Sequence, residues 1–167
     1  MNLIFIIIHI ILSINNQEQY SDDTYTVLKQ IDSIEIREYR PLFFASYVDN
    51  KQMSTSNSSF RVLADFIFGG NKQNKSIAMT SPVVIKLFDN RKMLFRMPEN
   101  YTINNIPKPN NRDIQFVSTD LVHKAVIKYS GYTNDTKEKK YIKILQNILN
   151  KHDIKHNNEF ELRVYDP

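Results

Sequence analysis

The sequence predicts an α+β domain in which two helices cover an antiparallel, curled sheet. Three observations carry that expectation. At Ile34, Glu35, Ile36 and Arg37 apolar and charged residues alternate, which is the period of a half-buried strand. From Ser56 to Phe68, and again from Asp135 to about Lys151, the apolar spacing is that of a helix. Short apolar runs bounded by Gly, Pro and Asn occupy the remainder, so the order is strands, helix, strands, then strands, helix, strand. This resembles two similar halves whose sequences do not visibly repeat.

Tyr25 to Val48 reads as a strand-rich opening, with Pro41 separating the alternating stretch from the apolar run Leu42 to Tyr47. In the first helix Phe60, Leu63, Ala64 and Ile67 share one stripe. Ser58 or Ser59 is available to cap it and Gly69-Gly70 to end it. Phe66 and Phe68 widen the stripe, so the helix is either deeply packed or packed on a sheet while also lining a cleft. Val83 to Phe88 and Lys92 to Met97 flank Asp89-Asn90 as a hairpin. After a loop with Pro107 and Pro109, Asp113 to Thr119 and Leu121 to Ser130 read as a second antiparallel pair closed by Gly131. Asp135 or Thr136 caps the second helix, whose stripe is Tyr141, Ile144, Leu145 and Ile148, widened by Ile142 and Leu149. Glu159 to Tyr165 is the last strand.

At 167 residues, 41% of them hydrophobic, the chain has the size of one domain with its own core. Its charge of +4 is spread among intermixed acids and bases, which argues against a nucleic-acid footprint. Leu3 to Leu12 is apolar except for His9. That length suits a signal peptide, here residues 1–17, and a secreted or secretory-lumen protein, with a cytoplasmic one as the alternative. Asn57, Asn74, Asn100 and Asn134 each open an N-x-Ser/Thr triplet, a glycan acceptor if the chain is exported. With no cysteine there is no disulfide, thiolate metal site or cysteine nucleophile.

No Gly-x-Ser-x-Gly elbow, phosphate-binding glycine loop or dinucleotide fingerprint occurs, and the available acids Glu35, Glu38 and Asp65 lack catalytic partners, so the chain reads as a binder and not an enzyme. His152 and His156 have the spacing of a ligand pair without a carboxylate to complete one, and read as surface histidines. His123 lies on the apolar parity of its strand, as a hydrogen-bonded core or cleft histidine or as an iron ligand. Met79, Met93 and Met97 with the helix phenylalanines offer adaptable apolar surface, although Met93, Phe95 and Met97 also share a strand face that suits the core. Arg61, Lys72 and Arg163 are candidates for neutralising ligand carboxylates.

Tyr25 to Leu28, Ile34 to Tyr39, Phe60 to Phe68, Ile77-Ala78-Met79-Thr80-Ser81-Pro82-Val83, Met97-Pro98, Pro107-Lys108-Pro109, Ser130-Gly131-Tyr132 and Tyr165-Asp166-Pro167 follow in the order of landmarks in the SOUL haem-binding family. The sequence resembles that family over about residues 24 to 167, most specifically in its Met-Thr-x-Pro-Val stretch. The resemblance implies a distorted antiparallel β-barrel of two similar halves flanked by two helices, within a domain spanning 18–167. It also implies an apolar cleft for non-covalent haem or another tetrapyrrole, to be bound, buffered or delivered. Phe60, Leu63, Ala64, Ile67 and Phe68 would then lie against the ring, with Arg61, Met79 and His123 as further contacts. The histidine proposed as iron ligand in some relatives falls in the strand resembling Ile34 to Tyr39, where this chain has none, and the iron ligand is left unassigned. Relatives continue past the equivalent of Asp166-Pro167 into a further strand, so the resemblance implies either its omission or a truncated product. The expected protein is a monomer that binds tetrapyrrole and no nucleic acid. The alternative is an interaction or non-haem ligand module on the same scaffold.

Overall fold

The computed structural model describes residues 23–48 and 56–165. The expected signal peptide therefore lies outside the described residues, as do Asp166 and Pro167. Among the described residues eight strands and two helices follow in the order β1 (Tyr25–Ile31), β2 (Ile34–Tyr39), β3 (Phe43–Tyr47), α1 (Ser56–Ile67), β4 (Val83–Lys86), β5 (Lys92–Arg96), β6 (Gln115–Ser118), β7 (Val122–Ile127), α2 (Asp135–Lys151) and β8 (Glu161–Val164). The elements follow the predicted order.

Their pairing departs from the expectation. The strands form two antiparallel sheets, β1-β2-β7 and β6-β3-β5-β4-β8, and no ladder joins them into a closed barrel among the described residues. β6 and β7 are not a hairpin: β6 pairs with β3, and β7 with β2. The chain changes sheets at Thr119, whose N–H donates to the Leu42 carbonyl at 2.9 Å while its hydroxyl accepts from the Leu42 N–H at 3.0 Å. Those bonds hold the end of β6 to β3, leaving Asp120 and Leu121 to carry the chain to β2.

Each sheet carries one helix on its outer face. α1 buries Leu63, Phe66 and Ile67 against Ala45, Ile85, Met93, Phe95 and Met97, so Met93 and Phe95 of β5 and Met97 just after it fill the core. α2 covers the smaller sheet, packing Leu145 and Leu149 on Ile31 and Ile34 with Ile36, Ala125 and Ile127 alongside. The inner faces are different in kind. The larger sheet contributes the small apolar cluster Phe44, Val84 and Leu94, and beside Val84 its register places Arg163. Facing these are Tyr39, Arg37 and Lys124 of the smaller sheet.

Helix ends shift by a residue or two from the predicted caps. α1 begins at Ser56, which puts Ser58 and Ser59 inside its first turn. The α2 cap is Asn134, not Asp135 or Thr136: its extended backbone lets the carboxamide oxygen accept from the Lys137 N–H at 2.9 Å. Gly69 takes φ 112° beyond α1, and at Gly70 a Cβ would collide with Asp65, backbone oxygen included.

The β4-β5 turn is tight, with Asn90 and Arg91 both at positive φ and the Lys92 N–H donating to the Asp89 carbonyl at 2.7 Å. Arg91 tolerates that backbone as a clamp. Its guanidinium reaches both carboxylate oxygens of the buried Glu138 on α2, at 3.0 and 3.2 Å, and so ties the hairpin of one sheet to the helix of the other. Glu138→Gln is expected to lower the unfolding free energy by about 1–2 kcal/mol, reduced from a fully buried pair because Arg91 is partly exposed. A urea-denaturation double-mutant cycle with Arg91→Ala checks it, and additive losses would mean the clamp contributes nothing.

Candidate ligand-binding site

The width of the α1 stripe resolves into two faces. Leu63 and Ile67, four residues apart, are 0% and 1% exposed and belong to the core. Phe60, Ala64 and Phe68, also four apart, lie along the adjoining edge, with Phe60 37% and Phe68 69% exposed and Ala64 half-buried against the same core. Arg61 is exposed on this side as well.

A second segment lies next to this strip. The Ile77 N–H donates to the Ile67 carbonyl at 2.8 Å, and the Thr80 hydroxyl to the Arg96 carbonyl at 2.6 Å. Arg96 follows Phe95, whose ring meets that of Phe60 at 5.3 Å. The segment is therefore tied at Ile77 to the end of α1 and at Thr80 to the end of β5. Met79 lies on that stretch and is 45% exposed. The exposed Phe60 and Phe68, with the half-buried Ala64 between them, form an apolar strip along α1, and Met79 adds an exposed, adaptable apolar side chain on the adjoining segment.

Asn71 sets the segment's path. Its carboxamide nitrogen donates to the carbonyls of Phe66 (3.1 Å) and Lys75 (2.7 Å), while its oxygen accepts from the N–H groups of Gln73 (3.2 Å) and Lys75 (3.1 Å). Four bonds from one buried side chain hold the turn between α1 and Ile77. The only signal for it in the sequence is an Asn following two glycines, a common turn composition.

His123 stands elsewhere. It pairs in register with Glu38, its Nε2 lies 2.9 Å from the Glu38 carboxylate, and it shares a parity with Ala125 and Ile127, which pack under α2. The expected ring contacts on α1 and His123 thus occupy the outer faces of different sheets. Among the described residues no group of three His, Asp or Glu side chains could hold a metal ion. Of the candidate carboxylate partners, Arg61 borders the strip and Lys72 is exposed in the Asn71 turn. Arg163 is on the inner face of the larger sheet, away from α1.

There it joins a polar seam that no local pattern in the sequence announces. The Arg37 guanidinium stacks on Tyr25 at 3.9 Å and donates to the Tyr39 hydroxyl at 3.2 Å, while Arg163 stacks on the Tyr39 ring at 4.0 Å. Glu161 Oε1 accepts from Lys124 at 2.5 Å and from Arg163 Nε at 2.8 Å, and Glu35 pairs with Arg37 and Lys128. Burial pushes the Lys124 ammonium below its ordinary pKa, with Glu161 opposing that. For Glu161 burial disfavours the charge, but Arg163 and Lys124 outweigh it and hold the carboxyl below the usual carboxylate range.

The described residues thus form an α+β domain of two antiparallel sheets with exposed apolar residues along one helix. A family model described as SOUL heme-binding protein matches residues 20–167, nearly the whole chain, and the protein belongs to that family. No curated protein gives a significant match to the chain.

Proposed function

We propose that the protein binds haem or a related tetrapyrrole non-covalently on the α1 strip and acts as a carrier or buffer, without catalysing a reaction on it. The observation that carries this reading is the exposure of Phe60 and Phe68 on α1 and of Met79 on the adjoining segment, in a chain of the SOUL family. A porphyrin needs a flat apolar support with cations at its rim, and the strip with Arg61 beside it fits both requirements. Neither α1 nor the segment Ser76 to Ser81 contains histidine, and Met79 supplies the one soft donor atom there. Affinity in this reading comes from apolar contact, and His123 takes no part.

Haem titration of the full chain, followed by absorption spectroscopy, is expected to give saturable one-to-one binding. Phe68→Asp and Met79→Asp should each weaken it about tenfold or more, the equivalent of one buried apolar side chain. His123→Ala should leave it unchanged. Both aspartates replace exposed residues, so circular dichroism should report intact folds. Absence of saturable uptake would move the assignment to an interaction or non-haem ligand module, and loss of binding in His123→Ala alone would move the site to the other sheet.

A further inference from the structure

We propose that the seam between β7 and β8 binds a small oxyanion, the carboxylate or phosphate group of a soluble ligand. This site is separate from the α1 strip, on the opposite face of the larger sheet.

The first ground is an orphaned donor. Arg163 Nη1 is buried and has no hydrogen-bond partner, although the same guanidinium is fixed by Glu161 at Nε and by the face of Tyr39. Leaving a charged donor dry and unmet is costly, and native interiors meet such groups with a partner, an ion or water. The guanidinium cannot turn away to solve this, because its stacking and its Nε bond define its plane.

The second ground is charge. Around Tyr39 stand three cations, Arg37, Lys124 and Arg163, against two carboxylates, Glu35 and Glu161. Glu35 is shared with Lys128, and Lys86 adds a further positive influence on Lys124. Both Lys124 and Arg163 draw on the same oxygen of Glu161. One more negative group is what this enclosed arrangement lacks.

The third is access. β7 and β8 are the terminal strands of their sheets and no ladder joins them, so side chains alone close the gap. The Lys124 side chain is 27% exposed and that of Arg163 12%, which puts lysine at the mouth and guanidinium at the floor. An oxyanion entering past Lys124 would meet an ammonium first and the free Nη1 next.

The test titrates the full chain with sodium phosphate and, separately, sodium acetate against sodium chloride at constant ionic strength, read by calorimetry and thermal unfolding. Saturable binding of at least one oxyanion is expected. The arm that saturates identifies the group, phosphate or carboxylate. Arg163→Met and Lys124→Met should each weaken it about tenfold or more, the loss expected for a hydrogen bond to a charged partner. Phe68→Asp should leave it unaltered. If Arg163→Met does not fold, Lys124→Met at the mouth decides. No saturation beyond chloride in the native chain, or unchanged affinity in Lys124→Met, would overturn the proposal.

Discussion

Asn71→Ala is expected to lower the unfolding free energy by about 3 kcal/mol, the sum of several unmet backbone groups in a buried turn. Asn71 is 1% exposed and satisfies two carbonyls and two N–H groups. With alanine the Phe66 carbonyl remains inside without that donor, and the turn from Asn71 to Lys75 loses its central acceptor. Asn71→Asp separates the two halves of the role. Its carboxylate can still accept from Gln73 and Lys75, but it turns a negative charge on the carbonyls of Phe66 and Lys75, so it should be no more stable than alanine. Urea denaturation measures the loss. Hydrogen exchange locates it, because the Ile77 amide, bonded to Ile67, should lose more protection than the amides of β7. Since Ile77 leads into Met79, the same substitution should loosen the apolar strip, linking a turn residue to the proposed ligand site. A change below about 0.5 kcal/mol, the scale of an ordinary surface substitution, would remove Asn71 from that role.

The elements were legible because they are periodic. Ile34 and Ile36 do face a helix, and Met93, Phe95 and Met97 do share a buried face. What periodicity does not contain is the partner. The sequence places His123 on the apolar side of its strand as a core or cleft residue; it has that parity, but it is exposed beside Glu38, outside the cluster of Ala125 and Ile127 under α2, and not beside α1. The same gap separated β6 from β7: two neighbouring strands read as a hairpin, whereas their ladders run to β3 and β2, some 70 to 90 residues back. The α1 stripe is wide, as its spacing implies, yet only packing distinguishes the buried Leu63 and Ile67 from Phe60, which touches Phe95 while partly exposed, and from the exposed Phe68. A charged residue at Leu63 would therefore report on stability, and substitutions at Phe68 and Met79 are the ones that report on contact. The seam was the least legible part. Glu35 and Arg37 alternate with isoleucines, the pattern of a solvated face, and nothing local says that a second sheet covers them.

Glu161→Gln is expected to cost about 3–4 kcal/mol at neutral pH, comparable with Asn71→Ala but by another mechanism. Glutamine keeps the shape and one acceptor oxygen, so the loss comes from charge: Lys124 and Arg163 are left facing each other between the sheets. The pH dependence identifies the cause. Glu161 and Glu35 titrate below their ordinary value of 4.5 in the fold, so their contribution is present above that value and is lost as pH falls through their folded values. The native chain should thus weaken from about pH 4.5 downward, where the variant keeps only the Glu35 part of the slope. Lys124 works in the opposite sense. Its folded pKa is lowered below 10.5, so the unfolded chain binds the extra proton and stability rises with pH across that window. Without Glu161 that rise should begin at lower pH. The difference between native and variant is then widest near neutrality and narrows at both ends, at low pH because Glu161 is protonated anyway, at high pH because Lys124 no longer carries charge. Adding Lys124→Met to Glu161→Gln should recover part of the loss, since it removes a buried ammonium that has no counter-charge. Denaturation across pH 3 to 10 checks this, and a loss that is small and constant over the range would mean that water, and not Glu161, balances the seam.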